Sequence, residues 1–264
     1  MFTHHVVPLD RGAPRLRVTS LGVPSPFADS RVAWCAVRFE SADTDSEKAG
    51  TLVQEAVAPE AMFHVALPPQ LVDAAPRRIA SYLAGRYCAE QALRRAGYPA
   101  PIPVVGRASS GGPVWPMGWV GSISHTDEEC VAVCARTSVV SSLGIDCERI
   151  VSREVAEEIG ATVAPEVHNG TAALGGLDQP VALTLAFSAK EALFKALFAQ
   201  VGVFFGFEVA QLVRINPENV TLELQLVSDL SADLCRGRRF TLRYVHAGDA
   251  VITALALVSA PEAA

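Results

Sequence analysis

Phe187-Ser188-Ala189-Lys190-Glu191-Ala192-Leu193-Phe194-Lys195-Ala196-Leu197-Phe198 is the stretch on which the reading of this chain turns. Its apolar residues recur at three- and four-residue intervals, and the spacing predicts a helix from about Ser188 to Val201. Leu193 with Leu197, and Phe194 with Phe198, supply the apolar side. Glu191 and Lys195, also four apart, share one face. Ser188 and Glu191 read in two ways at this stage. They match a capping box, in which Glu191 reaches back to the cap amide. Alternatively, Glu191 is a free carboxylate beside a lysine, near a helix N-terminus that favours anions.

Upstream, Leu143-Gly144-Ile145-Asp146-Cys147-Glu148 alternates with period two and reads as a strand. Leu143, Ile145 and Cys147 then face the core, and Gly144, Asp146 and Glu148 share the other face. Two carboxylates side by side suit a hard cation such as magnesium, which takes one or two protein carboxylates and fills its shell with water and phosphate oxygens. The alternative is a solvated strand face paired with Arg149 or Arg136. Earlier still, Trp119–Ser124 and Cys130–Arg136 read as strands joined by the polar turn Thr126–Glu129, which places Ser124 and His125 at an exposed rim. A serine hydrolase is disfavoured there. Adjacent strand residues point to opposite faces, and the nucleophile-elbow pattern Gly-x-Ser-x-Gly is missing at Ser124.

The remainder falls into place around these segments. The first 30 residues are rich in Pro, Gly and Ser without clear period, Val32–Glu40 reads as a strand, and Ala42–Lys48 as a polar loop. From Pro69 the pattern is helical, with Ile79, Leu83, Tyr87 and Gln91 four apart, until Gly97 and Pro99 end it. This helix carries Arg77, Arg78, Arg86, Arg94 and Arg95. Arg78 and Arg86 project from similar faces, whereas Arg94 and Arg95 read as a solvated basic face. After Glu148 come a helical stretch, a glycine-rich break at Gly170–Gly176, and strands near Val209–Ile215, Thr221–Leu226, Phe240–His246 and Val251–Val258. The expected class is α+β, with two similar lobes at 1–137 and 138–264, each a long helix on a small, mostly antiparallel sheet.

Composition narrows the function. Half the residues are hydrophobic, and 22 Lys+Arg against 28 Asp+Glu give a net charge of −6, which argues against a general nucleic-acid binder. The six cysteines form no Cys-x-x-Cys pair and read as reduced, buried thiols. A basic segment followed by an apolar one is missing at the N-terminus, and no apolar run reaches the ~20 residues of a membrane span. A cytoplasmic protein with no membrane partner is the expectation.

Phe187-Ser-x-Lys-Glu-x-x-x-Lys195-Ala196, Gly144-Ile145-Asp146-x-Glu148 and Gly121-Ser122-Ile123-Ser124-His125 together resemble the signature of 4′-phosphopantetheinyl transferases, in the surfactin-type and enterobactin-type branch. Arg78-x-x-x-x-Leu83-Ala84-Gly85-Arg86 and Gly112-Pro113-Val114-Trp115-Pro116 extend the likeness, although many relatives carry a basic residue where Gly112 stands. The likeness runs from about Pro76 to the C-terminus and is poor at Ala161–Pro180, a stretch expected to lie over the site. The resemblance implies transfer of 4′-phosphopantetheine from coenzyme A to a serine of an apo acyl or peptidyl carrier protein, with release of adenosine 3′,5′-bisphosphate. Such proteins serve polyketide, nonribosomal peptide, siderophore or fatty-acid synthesis. It assigns Asp146, Glu148 and Glu191 to magnesium, or manganese in its place. It assigns Arg78, Arg86, Ser124, His125, Lys190 and Lys195 to coenzyme A. Glu191, Lys195 and His125 carry the chemistry, with Glu191 or a metal-held water as the base. A monomer follows, because two lobes in one chain form a pseudo-dimer. Two rival readings stay open: a magnesium-dependent diphosphate hydrolase, and a catalytically silent module binding coenzyme A or a carrier protein.

Overall fold

Each half of the molecule lays one long helix across one five-stranded antiparallel sheet. The architecture is that of a computed structural model, which describes residues 4–7, 15–42, 67–68, 71, 73–108 and 111–258. In the first half, β1 (His4–Val7), β2 (Arg15–Ser20), β3 (Ala33–Ala42), β6 (Trp119–His125) and β7 (Glu129–Arg136) pair in the order β1-β2-β3-β7-β6. In the second, β8 (Val140–Arg149), β9 (Ala210–Asn216), β10 (Thr221–Leu226), β11 (Arg239–Ala247) and β12 (Ala250–Val258) pair in the order β8-β12-β11-β10-β9. A two-stranded ribbon, β4 (Gly106–Arg107) with β5 (Pro113–Val114), sits in the proline-rich loop. The α+β class expected from the pattern is observed.

Helix α1 (Pro76–Arg95) opens with proline at its first turn and buries Leu83, Ala84, Cys88, Ala89, Ala92 and Leu93 against β3 and β7. Alanine at half of those positions lets the helix axis lie close to the sheet. The helix starts at Pro76, not at Pro69 as the pattern suggested. Helix α4 (Gln179–Val201) is 23 residues long and ends at Gly202, whose φ of 74° is the left-handed cap that glycine adopts without penalty. It begins nine residues before Ser188, because Ala182, Leu183, Leu185 and Ala186 are themselves buried and continue the apolar face. The short helices α2 (Arg153–Val163) and α3 (Pro165–His168) pack beside it.

Two strands escaped the sequence reading. β1 and β2 form a hairpin on the outer edge of the first sheet, in a region whose prolines and glycines hid the alternation. Most of the polar loop expected at Ala42–Lys48 lies outside the described residues, since only Ala42, the last residue of β3, is described. The six cysteines are free thiols, but only five are buried; Cys235 is exposed. Among the described residues, no helix is long and apolar enough to cross a membrane.

The two sheets meet along their edge strands. β6 ends the first sheet and β8 begins the second, and the two run side by side. Between them Val131, Val133, Ala135, Ile145, Cys147, Ile252 and Ala254 form a continuous apolar seam. An open strand edge needs partners for its amides. Here a side chain provides one: the Ile145 amide donates to Ser122 Oγ at 3.2 Å.

Candidate functional site

The functional side chains collect at this seam. Ser124, near the end of β6, and Asp146, in the middle of β8, face each other across it, and Ser124 Oγ donates to Asp146 Oδ1 at 2.8 Å. Lys195 comes in from α4. Its ammonium donates to Asp146 Oδ1 at 2.6 Å, to Ser124 Oγ at 3.0 Å and to the Ile145 carbonyl at 3.3 Å. α4 can lie this close because β8 carries Gly144. A Cβ there would stand 1.8 Å from the Ala192 carbonyl oxygen. The face shared by Gly144, Asp146 and Glu148 is therefore roofed by a helix and is not a solvated strand face. Arg149 pairs instead with Asp249 and Glu128, and Arg136 lies over the Trp119 ring at 4.8 Å.

Ser124 was expected at an exposed rim, but β8 and α4 close over it and it is buried; His125 alone faces outward. The Ser–His pairing of a hydrolase is also unmade, since Ser124 is engaged by Asp146 and Lys195. His125 Nδ1 lies 3.2 Å from the Thr126 carbonyl. A carbonyl only accepts, so Nδ1 carries the hydrogen and Nε2 is left to point outward. The turn beneath is fixed by buried Glu129, which accepts from Thr126 Oγ1 at 2.5 Å and from Arg38.

Asp146 is 2% exposed, and its second oxygen, Oδ2, is buried without a hydrogen-bond partner. A buried carboxylate oxygen in that state has its lone pairs available to a further partner. Glu148 on β8 and Glu191 on α4 stand close enough to feel Asp146 and Lys195 electrostatically. Burial, with Asp146 and then Glu191 adding repulsion against the pull of Lys195, pushes Glu148 up to about 7. Burial, with Asp146 again opposing Lys195, also raises Glu191 above the ordinary carboxylate range. Burial is the main cause of the depressed His125 pKa, and Lys195 adds to it. Glu148 and Glu191, with Asp146 beside them, are carboxylates of the kind a divalent cation draws on. Among the described residues, however, no three His, Cys, Asp or Glu side chains converge tightly enough to cage an ion alone.

A pH dependence follows for the metal-free protein. Glu148 keeps its proton to about 7 when folded and loses it near 4.5 when unfolded. Its contribution is therefore fully present below pH 4.5 and lost as pH rises through 7; Glu191 acts in the same direction. The melting temperature is expected to fall between pH 4.5 and 7, and Glu148→Gln to flatten that fall. A melt series showing the same slope in both proteins would refute this.

His125 also belongs to the second feature, a cavity of about 600 Å³ beside the seam. Arg77, Arg78, Arg86 and Arg107 line it together with Tyr82, Gly85 and Ile123. Arg86 is buried, donates to the Gly106 carbonyl at 3.2 Å, stacks 4.5 Å from the centre of the Tyr82 ring, and leaves Nε without a partner. Arg77 is paired with Asp127. Arg107 was missed by sequence reasoning. It comes from β4, and its Nη2 lies 3.6 Å from where a Cβ on Gly111 would be. It brings a cation to the cavity wall near Gly111; an isolated arginine in a proline-rich loop offered no signal. On β6, Gly121 lets the Trp115 ring pack against the strand, for a Cβ there would stand 2.4 Å from that ring.

Two expected groupings do not form. The capping box is overturned, because Ser188 is buried in the middle of α4 with its Oγ 2.8 Å from Thr253 Oγ1. Lys190 does not join Lys195. It lies about 100° around the helix from Glu191, and its buried ammonium is held by Glu166 Oε1 at 2.9 Å and the Val163 carbonyl at 3.0 Å. Glu166 Oε1 also accepts from the Leu212 amide at 2.7 Å. Lys190 thus ties the segment containing α3 to α4. Of the solvated pair, Arg94 bonds Glu90, and Arg95 donates to the Trp34 carbonyl.

Comparison with known proteins is consistent along the chain. Residues 67–135 match the family described as 4′-phosphopantetheinyl transferase N-terminal domain, and residues 142–254 match the 4′-phosphopantetheinyl transferase superfamily. Enterobactin synthase component D of Salmonella typhi is 33% identical over 190 residues, which span 72% of this chain and 76% of that protein. The 4′-phosphopantetheinyl transferase Svp of Streptomyces mobaraensis is 34% identical over 208 residues, 77% of this chain and 79% of that one. The 4′-phosphopantetheinyl transferase Npt of Nocardia iowensis is 30% identical over 176 residues, covering 66% and 71%.

Proposed function

From a chain that belongs to the 4′-phosphopantetheinyl transferase superfamily, we propose that it moves the 4′-phosphopantetheine group of coenzyme A to a serine hydroxyl of an apo acyl or peptidyl carrier protein. Adenosine 3′,5′-bisphosphate is the second product. The observation that carries this reading is the meeting of Ser124, Asp146 and Lys195 at one seam, beside an arginine-lined cavity of about 600 Å³.

The parts divide by charge. Arg78, Arg86 and Arg107 offer guanidinium forks to the anionic nucleotide end of coenzyme A. His125 stands between that cavity and the seam, where the diphosphate lies. Asp146, through its unpartnered oxygen, with Glu148 and Glu191, would hold magnesium or manganese, which supplies positive charge against the diphosphate oxygens. Lys195 is already at the seam, and its ammonium turns toward the phosphate oxygens as charge builds on them. Glu191 accepts the proton of the incoming serine. The serine oxygen then bonds to the β-phosphorus, and the phosphorus–oxygen bond to the bisphosphate breaks.

The test is mass analysis of apo-carrier proteins incubated with the chain, coenzyme A and magnesium. A pantetheine-sized gain supports transfer. Cleaved coenzyme A with unmodified carrier would instead identify a diphosphate hydrolase, and binding without turnover a silent module.

Cofactor binding separates the arginines. Arg78→Ala and Arg86→Ala are each expected to weaken coenzyme A binding by about 1–3 kcal/mol, and His125→Ala by a similar amount, as lost charge-assisted contacts. Arg94→Ala, whose side chain is exposed and bonded to Glu90, should change it little. Calorimetry that finds all four alike would remove the cavity from the binding site. His125 adds a signature of its own. Its pKa is depressed in the free protein, so it must gain a proton before both ring nitrogens can donate. Binding near neutral pH should take up protons, seen as a buffer-dependent heat that His125→Ala removes.

A further inference from the structure

The turn after His125 joins β6 to β7 and carries a buried charge that the transfer reaction does not use. Glu129, the first residue of β7, is fully buried, and both of its carboxylate oxygens are bonded. Oε1 accepts from Arg38 Nε at 3.3 Å and from Arg38 Nη2 at 3.0 Å. Oε2 accepts from Thr126 Oγ1 at 2.5 Å. Arg38 is the cross-strand neighbour of Glu129 on β3. The turn's other acids, Asp127 and Glu128, pair instead with Arg77 of α1 and Arg149 of β8. A buried ion pair adds little stability, because desolvation of the carboxylate offsets the attraction. Its consequence here is geometric.

Thr126 is committed at every other polar atom. Its hydroxyl gives its hydrogen to Glu129 and accepts from the Glu128 amide at 3.2 Å and the Glu129 amide at 2.9 Å. Its own amide donates to the Glu129 carbonyl at 2.8 Å. The Thr126 carbonyl is thereby held in place, 3.2 Å from His125 Nδ1.

We propose, resting on the reading of His125 as a phosphate ligand, that Glu129 acting through Thr126 is a positioning residue for His125. It fixes the ring with Nδ1–H on the Thr126 carbonyl and leaves Nε2 open to the cavity that His125 lines. A further proton can then enter the ring only at Nε2. It arrives at the nitrogen that meets the phosphate, so the donor is already aimed when charge is needed. Without this anchor the neutral ring carries its hydrogen on either nitrogen and turns about its side-chain torsions, and binding must pay to order it. Glu129 itself touches neither cofactor nor metal.

The test pairs imidazole nitrogen NMR on the full chain, without coenzyme A, with calorimetry of coenzyme A binding. The His125 signals are picked out among the six histidines by their loss in His125→Ala. The wild-type ring is expected as the Nδ1–H tautomer. Glu129→Gln sets an amide donor against Arg38 or Thr126, and Thr126→Val removes the hydroxyl at nearly constant shape. Each is expected to mix the tautomers and to weaken coenzyme A binding about fivefold, the scale of one lost hydrogen bond. Thr126→Ser keeps the hydroxyl and should behave as wild type in both measurements. In a His125→Ala background, Glu129→Gln should change affinity by less than about twofold, because residues acting through one group are not additive. A merely structural Glu129 would lower the thermal melt and leave the tautomer alone. A single Nδ1–H tautomer in both Glu129→Gln and Thr126→Val, or an undiminished loss of affinity in the His125→Ala background, would overturn the proposal. Unchanged binding in His125→Ala alone would instead overturn the phosphate role of His125, and the tautomer measurement keeps the two failures apart.

Discussion

Glu191→Gln is expected to lower transfer by about 10²-fold or more while leaving the melting temperature nearly unchanged. The glutamine keeps the shape but neither accepts the serine proton nor offers a carboxylate charge. A structural role would show as lost stability, and the position of Ser188 removes the obvious one. Ser188 is nine residues inside α4, bonded to Thr253, so Glu191 has no helix end to cap. Because burial and Asp146 raise the Glu191 pKa, the charge is costly to the folded state, and its removal does not destabilise the protein. Asp146→Asn is the companion. It keeps an oxygen that can accept from Ser124 and Lys195 but loses the charge behind the orphaned Oδ2, and a similar loss of transfer is expected. Turnover close to wild type in both variants, measured on an apo-carrier protein, would sink the assignment of this seam as the reacting centre.

Gly144→Ala is expected to destabilise the protein by about 3 kcal/mol or more and to remove activity with it. The added carbon would stand 1.8 Å from the Ala192 carbonyl oxygen and 2.8 Å from its carbon. Those atoms are backbone in the middle of a helix, so they cannot rotate aside. Either α4 lifts off β8, which carries Glu191 and Lys195 away from Asp146, or the strand shifts and opens the apolar seam. Gly112→Ala is the control, since a Cβ there meets nothing within 4 Å. Equal melting temperatures for the two variants would show that α4 and β8 are not held as described.

How far the sequence reaches is clearest at three places. Asp146 and Glu148 were legible, because period-two alternation in a strand needs only local residues to read. Their surroundings were left open: the alternation shows that they share a face, but not that a helix covers it. Gly144 was the available signal, a residue without a side chain between two that have one. For α4, the capping-box motif placed a helix start where none exists. A motif of four residues cannot say whether the apolar run before it is also helical; burial of Leu183 and Leu185 under the second sheet decided that.

By itself, then, the sequence determined what depends on neighbours along the chain: the class, the long helices, most strands and the identity of the charged groups. The tertiary structure decided what depends on neighbours across it. It separated Lys190 from Lys195, giving the first to Glu166 and the second to Asp146, although both sit on one helix five residues apart. It buried Ser124 and left His125 outside, and it brought Arg107 to the cavity from a ribbon with no readable period. The physical reason is common to all of these. Which partner a buried charge finds is set by which elements pack against it, and that follows from the summed burial of whole apolar faces rather than from any local pattern.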